Sequence, residues 1–245
     1  MPETPIETPA GPTPPAATTV ATGPISQTAS IYARLRTAVL ELDLTPGERL
    51  TERGLESEFS ASRTPVRAAL LRLDTEGLVR RDGRGWIVAP IDLDEVRAAS
   101  EYREAVEAAA VRLACRRASD ADLAAVLELL RSLSVDDDVE HGAKGPNVHV
   151  ELARLSGNPF LVAGVQDVVT RLARTRWLDL RTAQSRAQVR GEHQQILAAL
   201  EARDADAGTR AVVAHIRNTT ERLVASLNAD RTRFKARGLT IVGEH

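Results

Sequence analysis

Between Leu78 and Pro90 the chain reads LVRRDGRGWIVAP, and this stretch constrains the fold more than any other. It is the one clear switch to strand pattern, with helical pattern on both sides. Leu78–Arg81 and Trp86–Ala89 read as two short strands, and DGRG between them is a hairpin signal. Upstream, Ile31, Leu35, Ala38, Val39 and Leu42 recur at helical spacing over about residues 28–43. LTPGERL breaks that helix through Pro46 and Gly47. TERGLESEF follows as a short second helix, with Thr51 as its cap and Leu55 and Phe59 facing inward. A third helix starts at SRTPVR, with Ser62 as a cap and Val66, Leu70 and Leu73 on one face, and ends near Gly77. Three helices followed by a hairpin describe a winged helix-turn-helix over residues 28–90.

The remainder is helical by pattern, with helices expected near 92–118, 120–133, 146–157, 159–178, 184–202 and 204–228. Pro146 and Pro159 stand where helices begin, as the first helical position tolerates proline. Asn158 is a suitable cap before Pro159. Hydrophobic residues make up 43% of the chain but aromatics only 3%, so the core is aliphatic and alanine-rich, which favours helices. The expected fold is therefore mainly α: an N-terminal winged helix-turn-helix and a C-terminal all-α antiparallel helical bundle over residues 92–230. Residues 1–27, rich in Pro, Thr and Ala, read as a disordered tail. Residues 231–245 read as a C-terminal tail. The single cysteine, Cys115, fits a reducing compartment. No apolar run is long enough for a transmembrane helix, and no secretory signal is present. A cytoplasmic protein without a membrane partner is the expectation.

The formal net charge is -2, so a nucleic-acid signal must be local. It is found at the third helix. Arg63 and Arg67 stand one turn apart where a helix N-terminus already carries partial positive charge. Such an end suits an anion: its free N–H groups, with Ser62 and Thr64, can hold a phosphate. One of the two arginines then reaches a guanine edge. Arg53, on the preceding helix, meets the backbone or a neighbouring base. In the wing, Gly83 and Gly85 allow close approach to the sugar-phosphate, with Arg84 projecting between them. From Ser60 to Arg84 there are six arginines against three acids, so charge alone also fits a solvated mixed surface.

LTPGERLTERGLESEFSASRTPVRAALLRLDTEGLVRRDGRGWIVAP resembles the DNA-binding domain of GntR-family transcriptional regulators, chiefly through SRTPVR followed by AL..L...GLV. Ala68 stands where the family commonly has Glu, and Gly54 inside a helix costs about 1 kcal/mol against Ala. EYREAVEAAAVRLA (101–114) and HVELARLSGNPFL (149–161) resemble the FCD subfamily's effector domain, and the likeness spans about residues 28–228. It implies a homodimer on a palindromic double-stranded DNA operator, with a small carboxylate effector in the helical domain.

Three histidines lie inside apolar helices: His149, His193 and His215. Each alone reads as a hydrogen-bonded core residue. Together, on three helices of one bundle, they are candidate ligands for a divalent metal such as zinc, nickel or manganese. The resemblance supports that set but also implies an Asp four residues before the first histidine, where this chain has Gly145. Asp137, Asp138, Glu140 or His141 could replace it, or the histidines could bind an anionic effector without metal. Arg103 has two readings: an i, i+4 surface pair with Glu107, or, by the resemblance, a pocket residue meeting the effector carboxylate. The alternative function is a three-histidine metal-dependent hydrolytic enzyme with Glu192 as base. Against it, consecutive helical residues point about 100° apart, so Glu192 and His193 diverge.

Overall fold

A computed structural model of the chain describes residues 26–132, 147–180, 182–236 and 238–243, with only the backbone described at 176–179 and 233. The winged head begins with α1 (Gln27–Leu40), capped by Ser26, whose side chain accepts from the Ala29 amide. Its apolar face buries Ile31, Leu35, Val39 and Leu40. Leu42, expected on that face, lies beyond the helix end at φ 62°. β1 (Arg49–Leu50), α2 (Glu52–Glu58), α3 (Arg63–Thr75), β2 (Val79–Asp82) and β3 (Gly85–Val88) complete the head. The expected hairpin is one part of a three-stranded antiparallel sheet in the order β1-β3-β2, with Leu50 opposite Trp86. Trp86 is buried with Val66, Leu70, Leu73 and Leu78 in the head's core. Gly54 has a local reason: its amide donates to the capping Thr51 hydroxyl, and a Cβ there would sit 2.9 Å from that oxygen.

Beyond Pro90 come β4 (Ile91–Asp92), α4 (Leu93–Arg117) and α5 (Asp120–Ser132). Then follow α6 (Val148–Leu155), α7 (Pro159–Asp179), α8 (Ala183–Glu201) and α9 (Ala205–Ala229). Central α4 packs against α9, α6 and α7. Asn158 caps α7, accepting from the Phe160 and Leu161 amides. Asn147 caps α6, so that helix begins at Val148 and not at Pro146. Pro146 and the acidic stretch before it, including Asp137, Asp138, Glu140, His141 and Gly145, lie outside the described residues, as does the N-terminal tail up to residue 25.

Residues 231–243 are not the tail expected from sequence. They form α10 (Arg231–Ala236) and β5 (Ile241–Val242), which pairs in parallel with β4. The Thr240 amide donates to the Pro46 carbonyl in the head, and the Ile91 amide donates to the Thr240 carbonyl. Phe234, Leu239 and Ile241 pack with Ile91, Leu93, Val96, Leu223 and Leu227. The C-terminal segment is thus a strap across the junction of head and body. A strand of two residues carries no period, which is why the pattern there passes for a loop.

Candidate functional site

On the head, Arg53, Ser62, Arg63, Thr64, Arg67, Gly83 and Arg84 are exposed, and Gly85 is half-buried. Arg53 and Arg63 line one open cleft with Gly83, Arg84 and Gly85, while Arg67 lies one turn further along α3. Ser62 is the backbone cap of α3 and is exposed but makes no side-chain cap hydrogen bond, so its hydroxyl is not spent on the first α3 amides. Gly83 has φ 57°, which suits glycine at the wing tip.

The structure adds Glu52, which sequence reasoning passed over. Its carboxylate accepts from Arg63 Nε at 2.6 Å and from Trp86 Nε1 at 3.4 Å, and lies 3.8 Å from Arg81. The bond from Arg63 holds the Glu52 carboxyl below its usual range. Glu52 ties α3 to the β2–β3 hairpin and sets the direction of the Arg63 guanidinium. Its place eleven residues before Arg63 gave no local-pattern signal.

In the body, α6, α8 and α9 bring His149, His193 and His215 together. Ring centroids are 5.1 Å apart for His149–His215, 5.6 Å for His149–His193 and 4.7 Å for His193–His215. One ring nitrogen from each lies within 4.8 Å of the others, and all three residues are buried. Two carboxylates aim the rings. His149 Nδ1 is 2.7 Å from Glu107 Oε2, and His215 Nδ1 is 2.7 Å from Glu192 Oε2. A carboxylate there fixes the proton on Nδ1 and leaves Nε2 as the lone-pair nitrogen. Burial, only partly offset by Glu107, holds His149 down to about 4, and burial also lowers His215. Neutral imidazoles with a free Nε2 are the form that binds a metal.

Arg103 is not at the surface. Its Nε donates to Glu107 Oε1 at 2.7 Å, and both side chains are buried, which excludes the surface-pair reading. Burial alone would raise the Glu107 carboxyl, but Arg103 and His149 outweigh it and hold the group at about 2. Glu192 is likewise held at about 2: burial opposes, and His215, Arg222 and Asn218 prevail. It accepts from Arg222 and Asn218 as well as meeting His215 on the neighbouring helix. A carboxylate so engaged is not a poised general base, which corrects that part of the enzyme reading.

Arg103 and the three histidines line a cavity of about 60 Å³ whose other walls come from α4, α7, α8, α9 and Leu180 just past α7. Among its lining residues, Leu172 and Thr175 belong to α7. The same helix grips the head. Arg171 donates to the Thr75 carbonyl at the end of α3, and Arg174, buried, donates to the Ala89 carbonyl. Neither contact was legible from sequence. Of Trp177 only the backbone is described.

Comparison with known proteins follows the same division. Residues 27–88 match the bacterial regulatory proteins of the gntR family, and residues 98–218 match the FCD domain. The Nta operon transcriptional regulator of Aminobacter aminovorans is 31% identical over 196 residues, covering 78% of this chain and 92% of that protein. The HTH-type transcriptional repressor RspR of Escherichia coli K12 is 27% identical over 219 residues, covering 85% and 94%. Among solved structures, a GntR transcriptional regulator from Rhodococcus sp. RHA1 superposes with a TM-score of 0.66 at 21% identity, covering 81% of this chain and 98% of that one. E. coli McbR/YncC gives 0.63 at 23%, covering 82% and 98%.

Proposed function

Since the chain belongs to the gntR family of bacterial regulatory proteins and carries an FCD domain, we propose that this transcriptional regulator is a ligand-relieved repressor. It binds a palindromic operator as a homodimer and senses a small carboxylate in the helical body. The observation that carries this reading is α7, one helix that lines the pocket with Leu172 and Thr175 and holds the head with Arg171 and Arg174. An effector that favours one position of α7 shifts the head's orientation by its differential affinity for the two arrangements.

On DNA, the α3 N-terminus with Ser62 and Thr64 takes a phosphate, Arg67 and Arg63 reach base edges in the major groove, and Arg53 meets the backbone. The Gly83–Arg84–Gly85 wing lies along the sugar-phosphate. In the body, His149, His193 and His215 would hold a divalent metal, zinc, nickel or manganese. The observations in favour are three converging imidazoles, two of which, His149 and His215, are held neutral by burial and oriented by carboxylates. The metal would supply a Lewis-acid point for the effector carboxylate beside Arg103. For the dimer, Phe160 is 86% exposed at the start of α7, and Tyr102 of α4 lies against Gly164 one turn along. This aromatic face suits an isologous contact. No described helix is long and apolar enough to cross a membrane, and a DNA reader works where the DNA is, so the cytoplasm is part of the proposal.

Selection from a random duplex pool tests the reading. The expected winner carries two inverted half-sites whose centres are one helical turn, or a multiple of one, apart. A lone unrepeated motif would exclude the symmetric dimer, and no enrichment would exclude sequence-specific binding.

A further inference from the structure

We propose that the pocket selects a short monocarboxylate with an aliphatic body and rejects polyhydroxylated acids of the same charge; this rests on the pocket being the effector site. The charged and imidazole groups lining the cavity, Arg103 and the three histidines, mark the end that takes the carboxylate. The rest of the lining is dominated by Val96, Val169, Leu172, Leu180, Val189 and Leu223. None of these six side chains can pair with a ligand hydroxyl.

The wall does contain hydroxyls, but three of them already donate their protons within the protein. Thr175 Oγ1 donates to the Leu172 carbonyl at 2.8 Å. Ser100 Oγ donates to the Val96 carbonyl at 2.9 Å and Thr220 Oγ1 to the Ile216 carbonyl at 2.8 Å. Ser100 and Thr220 also face each other at 2.6 Å, so three contacts consume two protons. Thr219 accepts from Arg222 and is the one hydroxyl in the lining with a proton to offer, among the described residues. A ligand hydroxyl would find almost no donor in this wall and, along the six aliphatic side chains, no acceptor, and each hydroxyl buried without a partner weakens binding by about tenfold or more. A methylene in the same place tightens it by about fourfold. A cavity of about 60 Å³ has room for only a handful of water-sized groups, so the body is short.

A matched pair of acids isolates the body from the carboxylate. In 3,4-dihydroxybutanoate, two methyl groups of 3-methylpentanoate are replaced by hydroxyls, so charge and number of heavy atoms are equal. Both are titrated calorimetrically into full-length zinc-treated protein of measured metal content, beside acetate, propanoate and butanoate. The expected result is a rise of about fourfold per methylene along the unbranched series until the cavity is filled. 3-Methylpentanoate is expected to bind at least tenfold tighter than its dihydroxy counterpart. Val189→Thr, which keeps shape and adds a hydroxyl to the wall, is expected to narrow that gap. The dihydroxy acid binding equally well or better overturns the selectivity while leaving the pocket as the effector site. No heat from any acid overturns the effector-site reading and the proposal with it.

Discussion

Arg63 and Arg103 each face a glutamate, Arg63 at 2.6 Å from Glu52 and Arg103 at 2.7 Å from Glu107, yet the two pairs are built for different ends. The Arg63 side chain is 70% exposed and its partner 12%, whereas the Arg103 and Glu107 side chains are 9% and 4% exposed. The head pair is an exposed cation leaning on a shielded anion. Water and salt screen it, so a phosphate or base edge can replace the glutamate at little cost. The body pair is dry and extends through Glu107 to His149, so losing either member strands the other in a medium that cannot solvate it. A DNA reader needs a cation that can change partners. A ligand site needs one that stays in place before the ligand arrives.

Cutting each pair tests that contrast. Arg103→Ala leaves the Glu107 carboxylate buried without its cation, and truncations of this kind cost about 3–5 kcal/mol. Urea denaturation of the metal-free protein is expected to show a midpoint lowered accordingly, and an unchanged midpoint would mean that the pair is hydrated in solution. Arg63→Ala combined with Arg67→Ala is expected to do the reverse. The urea midpoint stays near wild type, since both side chains are exposed, while operator affinity by fluorescence anisotropy falls at least a hundredfold. Affinity within threefold of wild type would remove α3 from the DNA contact.

The same contrast explains what could be read from sequence. Head elements are contiguous, so SRTPVR and DGRG announce a helix start and a hairpin within a few residues each. β1 escaped because Arg49–Leu50 is a strand only by virtue of Ile87 and Trp86 opposite it. The body site is assembled from α4, α6, α8 and α9, and local pattern gave three separate histidines without their distances. Glu192 shows the difficulty. It neighbours His193 in sequence, yet it points to His215 on the next helix, as the 100° step between helical neighbours allows. Arg103 and Glu107 were legible as an i, i+4 pair, but their burial depends on helices that pack over them. The strap and the α7 contacts join segments far apart in the chain, and no local period encodes such a meeting.

Arg174 joins the two regions and offers the most delicate test. It is 5% exposed, its Nε has no hydrogen-bond partner among the described residues, and its Nη1 donates to the Ala89 carbonyl at the head's exit. Burial pushes its pKa down to about 10, so it still carries its charge at neutral pH. A buried cation so thinly compensated contributes little to stability, and a methionine of similar length would fill the space without the desolvation cost. Arg174→Met is therefore expected to fold at least as stably as wild type and to keep basal operator affinity within a few-fold. The tie between α7 and Ala89, however, is gone. Allosteric coupling between two sites is commonly worth about 5- to 150-fold in affinity. The ratio of operator affinities without and with 3-methylpentanoate is expected to fall toward one in the variant, although calorimetry still shows the acid bound. An undiminished ratio would mean that the effector state reaches the head by another route, of which the strap from Thr240 to Pro46 is the next to cut.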